Sequence, residues 1–345
     1  MENIEKNRVI IISGNTGCGK STQVPQYIYH SNTKNTILMT QPRRIAAVSI
    51  SKRLAQEMGE KVGEKIGFHV SMNPNFCKDT RILVETTGIF MEELIHKNMD
   101  FSHIILDEVH ERDIYVDLVL ALIKWNFETN PNSKTKLILM SATIAEKSFA
   151  DYLRKINGGE VPIIKIKESL HKVNQFTLES IFKSIKEDKL ISDKLKQEVE
   201  SVVQVCLSQV KSEPIFMTDL FPVVAAILEK IENQEKNNKK GVLIFIPGIG
   251  EIQDLQDYLS KYFINKKNLE FLILHSQISD IEQDRIFKND DDKRKIILAT
   301  NIAESSITIS NIDFVIDFCL VKQTKFDETQ NIQLLELKWC SKASC

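Results

Sequence analysis

The stretch Ser13-Gly14-Asn15-Thr16-Gly17-Cys18-Gly19-Lys20-Ser21-Thr22 limits what this chain can fold into more than any other part of it. It follows an apolar run, Val9-Ile10-Ile11-Ile12, that reads as a buried strand. It precedes Gln23 to His30, which can carry a helix. Gly14 and Gly19 stand five apart with Lys20 and Ser21 next, which is the spacing G-x-x-x-x-G-K-[ST] of a phosphate-wrapping loop. A chain that wraps phosphates needs glycines where backbone N–H groups approach closely, and a helix N-terminus aimed at the anion. Lys20 can then reach the outer phosphates, and the Ser21 hydroxyl can take one position on Mg²⁺. A glycine-rich surface turn would show the same letters but would require neither the strand before nor the helix after.

Beyond this loop, short apolar runs alternate with helical segments as far as residue 166, with strands expected at Thr36–Thr40, Arg81–Glu85, His103–Leu106, Leu137–Met140 and Pro162–Ile166. Strands separated by helices imply right-handed crossovers and a parallel sheet covered on both faces. The fold class is therefore α/β, with residues 1–166 as one doubly wound domain. Residues 167–217 lose the rhythm and read as a linker or insertion that contains a helix near 194–210. Residues 218–345 regain the rhythm as a second α/β domain that ends in a β-hairpin near 321–339. At 345 residues the chain is long enough for two cores, and 42% hydrophobic against 27% charged residues is ordinary for a globular chain. The net charge of -2 means that any nucleic-acid contact comes from local patches. No run reaches the length of a membrane span, so no membrane partner is expected. The six cysteines show no paired metal spacing, which fits a reducing, cytoplasmic setting.

Six further clusters carry chemistry. Asp107-Glu108 follows the strand at His103–Leu106, where a Mg²⁺ carboxylate and a residue that handles an attacking water belong. Read alone, the same acids would cap the next helix. Ser141 and Thr143 end the next strand, where they could couple nucleotide state to movement, although a helix cap is the plainer reading. Arg43 and Arg44 suit phosphate oxygens, and Thr87-Gly88 can offer donors to the same backbone; each is otherwise a turn. In the second half, His275-Ser276 and Thr300-Asn301 close strands and could face nucleotide or nucleic acid.

In this order the pieces resemble the DEAH-box branch of superfamily 2 helicases. GNTGCGKST at 14–22 matches motif I, QPRR at 41–44 motif Ia, TTG at 86–88 motif Ib, DEVHER at 107–112 motif II and SAT at 141–143 motif III. VLIFIPGIGEI at 242–252, LHS at 274–276 and ATNIAESSITI at 299–309 resemble the second RecA-like domain and its motifs IV and V. The resemblance implies two RecA-like domains that bind ATP and Mg²⁺ and act on RNA. Catalysis falls to Glu108, Lys20, Asp107 and His110; the metal to Ser21, Asp107 and Glu108; and the nucleotide to the loop 14–22, with Arg53 and Phe287 flanking the adenine. Arg43, Arg44, Thr87, Gly88, His275, Ser276, Thr300 and Asn301 become RNA contacts, and Ser141 and Thr143 couple the two activities. The hairpin looks like the one that the family uses to help part strands.

Within the family, DEVHERD at 107–113, VIDFCL at 315–320 and WCSKASC at 339–345 look most like the Tudor-domain-containing, Spindle-E-like helicases of the germline piRNA pathway. That implies piRNA-pathway proteins as partners and a perinuclear germ granule as the setting. Ser310 stands where the family usually has aspartate. The resemblance also implies that the arginine-bearing motif VI would follow Ser344, so that residues 1–345 alone are expected to be a poor ATPase. A rival of a different class is a scaffold that binds nucleotide and RNA without unwinding.

Overall fold

The computed structural model describes every residue except 1, 16, 97–99, 143–145, 167–172, 210–213, 236–239, 276–277, 279, 288–292, 304–308, 310, 328 and 342–345. The chain divides into two compact units, the first over residues 1–172 and the second over the described residues that follow.

The first unit holds strands β1 (Val9–Gly14), β2 (Ile37–Gln41), β3 (Ile66–Val70), β4 (Asn73–Asn75), β5 (Ile82–Thr86), β6 (His103–Leu106), β7 (Lys136–Ser141) and β8 (Ile163–Ile166). They form one sheet in the order β4-β3-β5-β2-β6-β7-β1-β8, parallel throughout except for the β3–β4 pair. The apolar runs are continuous because the sheet is covered on both faces. Successive side chains of β1 point to opposite sides. Ile10 and Ile12 pack with Val24, Ile28 and Leu54 in one layer, while Val9 and Ile11 pack with Val119, Ile123 and Phe127 in the other. At roughly 1.5–3 kcal/mol for each fully buried aliphatic side chain, these two layers dominate the unit's stability.

Several elements here differ from the expectation. β3 and β4 form a short antiparallel extension beyond β5, and the helix Glu146–Asn157 buries Phe149, Leu153 and Ile156. Thr87 and Gly88, expected in a turn, open the helix Thr87–His96 directly at the end of β5.

The second unit has strands β9 (Gly241–Phe245), β10 (Leu269–Leu274), β11 (Arg294–Ala299) and β12 (Ile312–Asp317), all parallel, in the order β10-β11-β9-β12. From residue 173 onward, the stretch expected to link the domains carries two helices, Leu178–Glu187 and Asp193–Gln209. Phe182, Ile185, Leu195 and Val199 enter the same core as Val242, Ile244 and Leu298, so this segment is part of the second unit's body. β13 (Leu320–Asp327) and β14 (Ile332–Trp339) pair as an antiparallel hairpin. Asp327 closes its tip by accepting from the Thr329 amide (2.9 Å) and hydroxyl (2.6 Å). Lys322, on β13, meets Glu251 at 2.6 Å and so ties the hairpin to the helix Ile249–Tyr262. No helix among the described residues is long and apolar enough to cross a membrane.

Candidate active site

β2, β6, β7 and β1 are consecutive in the first sheet, so Gly14, Gln41, Leu106 and Ser141 finish side by side and the chain after each leaves from one edge. Parallel α/β sheets bind their ligands at this carboxyl edge.

Gly14 must be glycine: a Cβ there would lie 2.9 Å from both Cys18 Sγ and Ile166 Cβ. Gly17 and Gly19 turn the loop through the left-handed region, with φ of 80° and 84°. Gly19 is the N-cap of the helix Lys20–Ser31 and has no side chain with which to cap the first-turn amides. Those amides and the helix dipole therefore face the loop, a ready anion site. Lys20 is buried, and its Nζ donates to the carbonyls of Gly14 (2.5 Å) and Asn15 (3.1 Å). Asn15, Gly17, Cys18 and Thr22 complete the loop, and Thr22 Oγ1 donates to the Gly19 carbonyl at 3.3 Å. Thr16 lies outside the described residues.

Asp107, 1% exposed, follows β6. It accepts from Gln41 Nε2 at 2.7 Å, from the Glu108 amide at 2.9 Å and from the Ser21 hydroxyl. Burial still raises its pKa, against these bonds and the pull of Lys20. Glu108 adopts φ 54° and ψ 34°, a left-handed conformation that side chains rarely take. Burial first, then the adjacent Asp107 charge, pushes its carboxyl up to about 8. Its Oε2 is buried with no hydrogen-bond partner among the described residues, and lies 3.4 Å from His110 Nδ1. The Ala142 amide donates to that same Nδ1 at 3.3 Å, which assigns the neutral ring's proton to Nε2. Burial lowers the His110 pKa, in keeping with a neutral ring. The segment after β7 thus touches the acid loop through the Ala142 backbone, beside the buried Ser141; Thr143 lies outside the described residues.

Gln41 was not singled out as a site residue in the sequence, yet it organises this edge. Its amide holds Asp107, and its carbonyl accepts the Thr87 hydroxyl at 3.2 Å. The Thr87 side chain, expected to face RNA, is therefore turned inward at 2% exposure, while Gly88 beside it is partly exposed with open space over its Cα. The only hint in the sequence was Gln41's place at the end of β2, immediately before Pro42-Arg43-Arg44. Arg43 lies 3.5 Å from Glu111, and Arg44 is exposed at the start of the helix Arg44–Met58. Arg53, on that helix, pairs with Glu57 at 2.6 Å and is mostly exposed.

The remaining candidates belong to the second unit. His275 follows β10, partly buried, and burial lowers its pKa. Thr300 is buried just after β11, Asn301 opens the turn Asn301–Ala303 on the surface, and Phe287 ends the helix Asp280–Phe287, partly buried. Ser276 lies outside the described residues.

Residues 1–151 match the family model described as DEAD/DEAH box helicase, and residues 223–335 match the helicase conserved C-terminal domain. The chain belongs to the DEAD/DEAH box helicases. Among proteins of this family, the probable ATP-dependent RNA helicase spindle-E of Aedes aegypti is 37% identical over 99% of this chain and 25% of its own length. The ATP-dependent RNA helicase TDRD9 of Homo sapiens is 35% identical over the same shares. The chain thus spans about a quarter of the curated relatives that it matches. A crystal structure of the Escherichia coli DEAH/RHA helicase HrpB aligns with a TM-score of 0.73 at 24% identity, over 99% of this chain and 39% of that one, a likeness of fold. Two RecA-like helicase domains with parallel sheets are the architecture.

Proposed function

We propose that the chain is the two-domain motor of an ATP-dependent RNA helicase. The observation that carries this reading is the buried Asp107-Glu108 pair held beside Lys20 and Ser21 at one sheet edge. A buried carboxylate oxygen without a donor among the described residues, next to a cation and a hydroxyl, is a donor set suited to a hard divalent ion and a polyphosphate. Ser21 and Asp107 would hold Mg²⁺, which when bound offsets phosphate charge. The loop amides and Lys20 bind and orient the phosphates. Glu108, whose pKa lies near the working pH, positions the attacking water and takes its proton. His110, neutral and touching Ala142, carries the state of this site to the segment after β7. Arg53 and Phe287 flank the adenine.

Arg43, Arg44, Gly88, His275, Thr300 and Asn301 contact RNA, with backbone phosphates as the main target, so binding is sequence-tolerant. Thr87 acts through its backbone and through Gln41, since its hydroxyl is spent inside the fold. In domain terms, residues 1–166 are the ATP-binding half and the chain from 218 the second motor half, with the helices from 178 to 209 built onto the latter. The names of the spindle-E and TDRD9 relatives support a finer reading: a role in germline piRNA silencing, in cytoplasmic perinuclear granules, alongside proteins of that pathway. A purely scaffolding role is disfavoured because Lys20, Ser21, Asp107 and Glu108 are gathered at one edge.

The test is ATP hydrolysis with and without single-stranded RNA. RNA should stimulate turnover. Glu108→Gln should keep nucleotide affinity and lose roughly 10²–10⁴ in turnover. Turnover that Glu108→Gln leaves unchanged refutes the assignment.

A further inference from the structure

Gln41 is the last residue of β2, the strand that lies between β5 and β6 in the first sheet. Three segments meet on it. On one side its carbonyl accepts the Thr87 hydroxyl at 3.2 Å, which holds the start of the helix Thr87–His96. On the other its Nε2 donates to Asp107 Oδ2 at 2.7 Å, while the Glu108 amide donates to the second oxygen of the same carboxylate. Along the chain Gln41 leads directly into Pro42, Arg43 and Arg44. Gln41, Thr87 and Asp107 are all buried, so solvent does not loosen these bonds.

Packing does not explain a glutamine at this point. Leu or Met fills a similar volume without the desolvation that a buried amide costs. That cost is larger here because Gln41 Oε1 is buried with no hydrogen-bond partner among the described residues. An ionised carboxylate only accepts, so the amide nitrogen is the atom assigned to face Asp107. What the side chain supplies is a donor that fixes the rotation of the Asp107 carboxylate.

The links on the other two sides are short and stiff. The Pro42 ring fixes its own φ and keeps the residue before it extended, so a shift of the arginines passes to Gln41 rather than being absorbed between them. Gly88, with open space over its Cα, directly follows Thr87. Both first-unit segments read above as RNA contacts therefore end on one residue, and that residue holds the carboxylate read above as a metal ligand.

We propose that Gln41 is the positioning residue that couples the two ligands: RNA backbone at Arg43, Arg44 and Gly88, and nucleotide with Mg²⁺ at Asp107. This rests on the motor reading given above. Each ligand then favours the arrangement that the other needs, and the coupling is reciprocal.

The test measures a ratio of affinities, which a purely structural role for Gln41 would leave alone. A fluorescent single-stranded oligouridylate is titrated with the protein, with and without Mg²⁺ and a non-hydrolysable ATP analogue. In the natural protein the analogue should tighten RNA binding at least about fivefold. In Gln41→Leu the ratio should fall to within about twofold of one, whatever happens to either affinity alone. Thr87→Val, which removes only the hydroxyl, should lower the ratio, and Thr87→Ser, which keeps it, should restore it. These two variants carry the test if Gln41→Leu does not fold. A ratio of one in the natural protein overturns the motor reading and the coupling with it. A ratio undiminished in Gln41→Leu, or lowered equally by Thr87→Val and Thr87→Ser, overturns the role of Gln41 and leaves the motor reading standing.

Discussion

The two parallel sheets bury charge at opposite ends of their strands. In the first unit, Lys20, Asp107 and Glu108 are buried just beyond the ends of β1 and β6. In the second, the buried cation is Arg294, the opening residue of β11, and it meets Glu232 at 2.5 Å together with the carbonyls of Glu235 and Lys240. Those partners lie on the helix Phe221–Gln234 and just before β9, at the starting edge of the sheet. The second arrangement is closed, because the guanidinium lies among acceptors supplied by its own fold. The first is open: Glu108 Oε2 is buried without a donor among the described residues, and Lys20 donates to loop carbonyls. Buried charge alone therefore does not mark a working site. Buried charge at the carboxyl edge, with part of its hydrogen bonding unmet among the described residues, is the pattern on which the proposed site rests.

The sharpest way to break this contrast is to remove each cation. Arg294→Ala leaves Glu232 buried without its charge partner and should cost about 3–5 kcal/mol. In calorimetry the second unit should melt earlier, while nucleotide affinity stays unchanged. A fall in nucleotide affinity in a protein that is still folded would erase the distinction. Lys20→Ala should do the reverse: at least tenfold weaker ATP binding by isothermal titration, about 1.4 kcal/mol or more, with the unfolding temperature barely moved.

A smaller effect separates recognition from catalysis at the same edge. Replacing Arg43 and Arg44 together with Ala should weaken RNA binding evenly across sequences. It should also flatten the slope of log affinity against log salt by roughly 0.7–1.4. The lower figure applies if Glu111 already occupies Arg43. An unchanged slope would return both arginines to a solvated turn.

The smallest effect probes the starting edge of the first sheet. His103 opens β6, and burial, followed by the nearby Lys136 charge, lowers its pKa to about 4. Below about 6.5 the unfolded chain takes up a proton that the folded chain refuses until about 4, so stability falls as pH drops through that window. With allowance for partial exposure the loss is about 1–2 kcal/mol. Urea titrations from pH 7 to 4 should show a shallower decline for His103→Asn than for the natural protein; equal declines would discharge His103.

Much of this was legible from residues alone, because the strands of the first sheet are unbroken apolar runs and the loop glycines have one spacing. β4 was not: Asn73-Pro74-Asn75 has no apolar residue, and it is a strand only because β3 offers it a partner. β3 itself hid behind Gly67, which interrupts a short run; a Cβ there would lie 2.6 Å from Phe76 Cβ. The helix Glu146–Asn157 carried a readable signal in Phe149, Leu153 and Ile156, spaced by four and three, which the expectation passed over. The helix Leu178–Glu187 was obscured by its Lys, Glu and Ser content, which describes its outer face only, whereas the apolar spacing of Leu195 and Val199 marks the helix that follows it. In the site, the acids and the phosphate loop follow from local pattern. The Gln41–Asp107 bond spans 66 residues of chain and becomes visible only once β2 and β6 lie side by side.

Glu108 also bears on how this protein would drift if it were selected differently. A side chain in the left-handed region costs roughly 1–2 kcal/mol, and the buried carboxyl adds to that. Glycine or asparagine at position 108 would relieve both. A population of variants chosen only for heat tolerance, without any demand for turnover, should abandon the acid there early. The residue at this one position then records whether a lineage has been kept for its chemistry or merely for its shape.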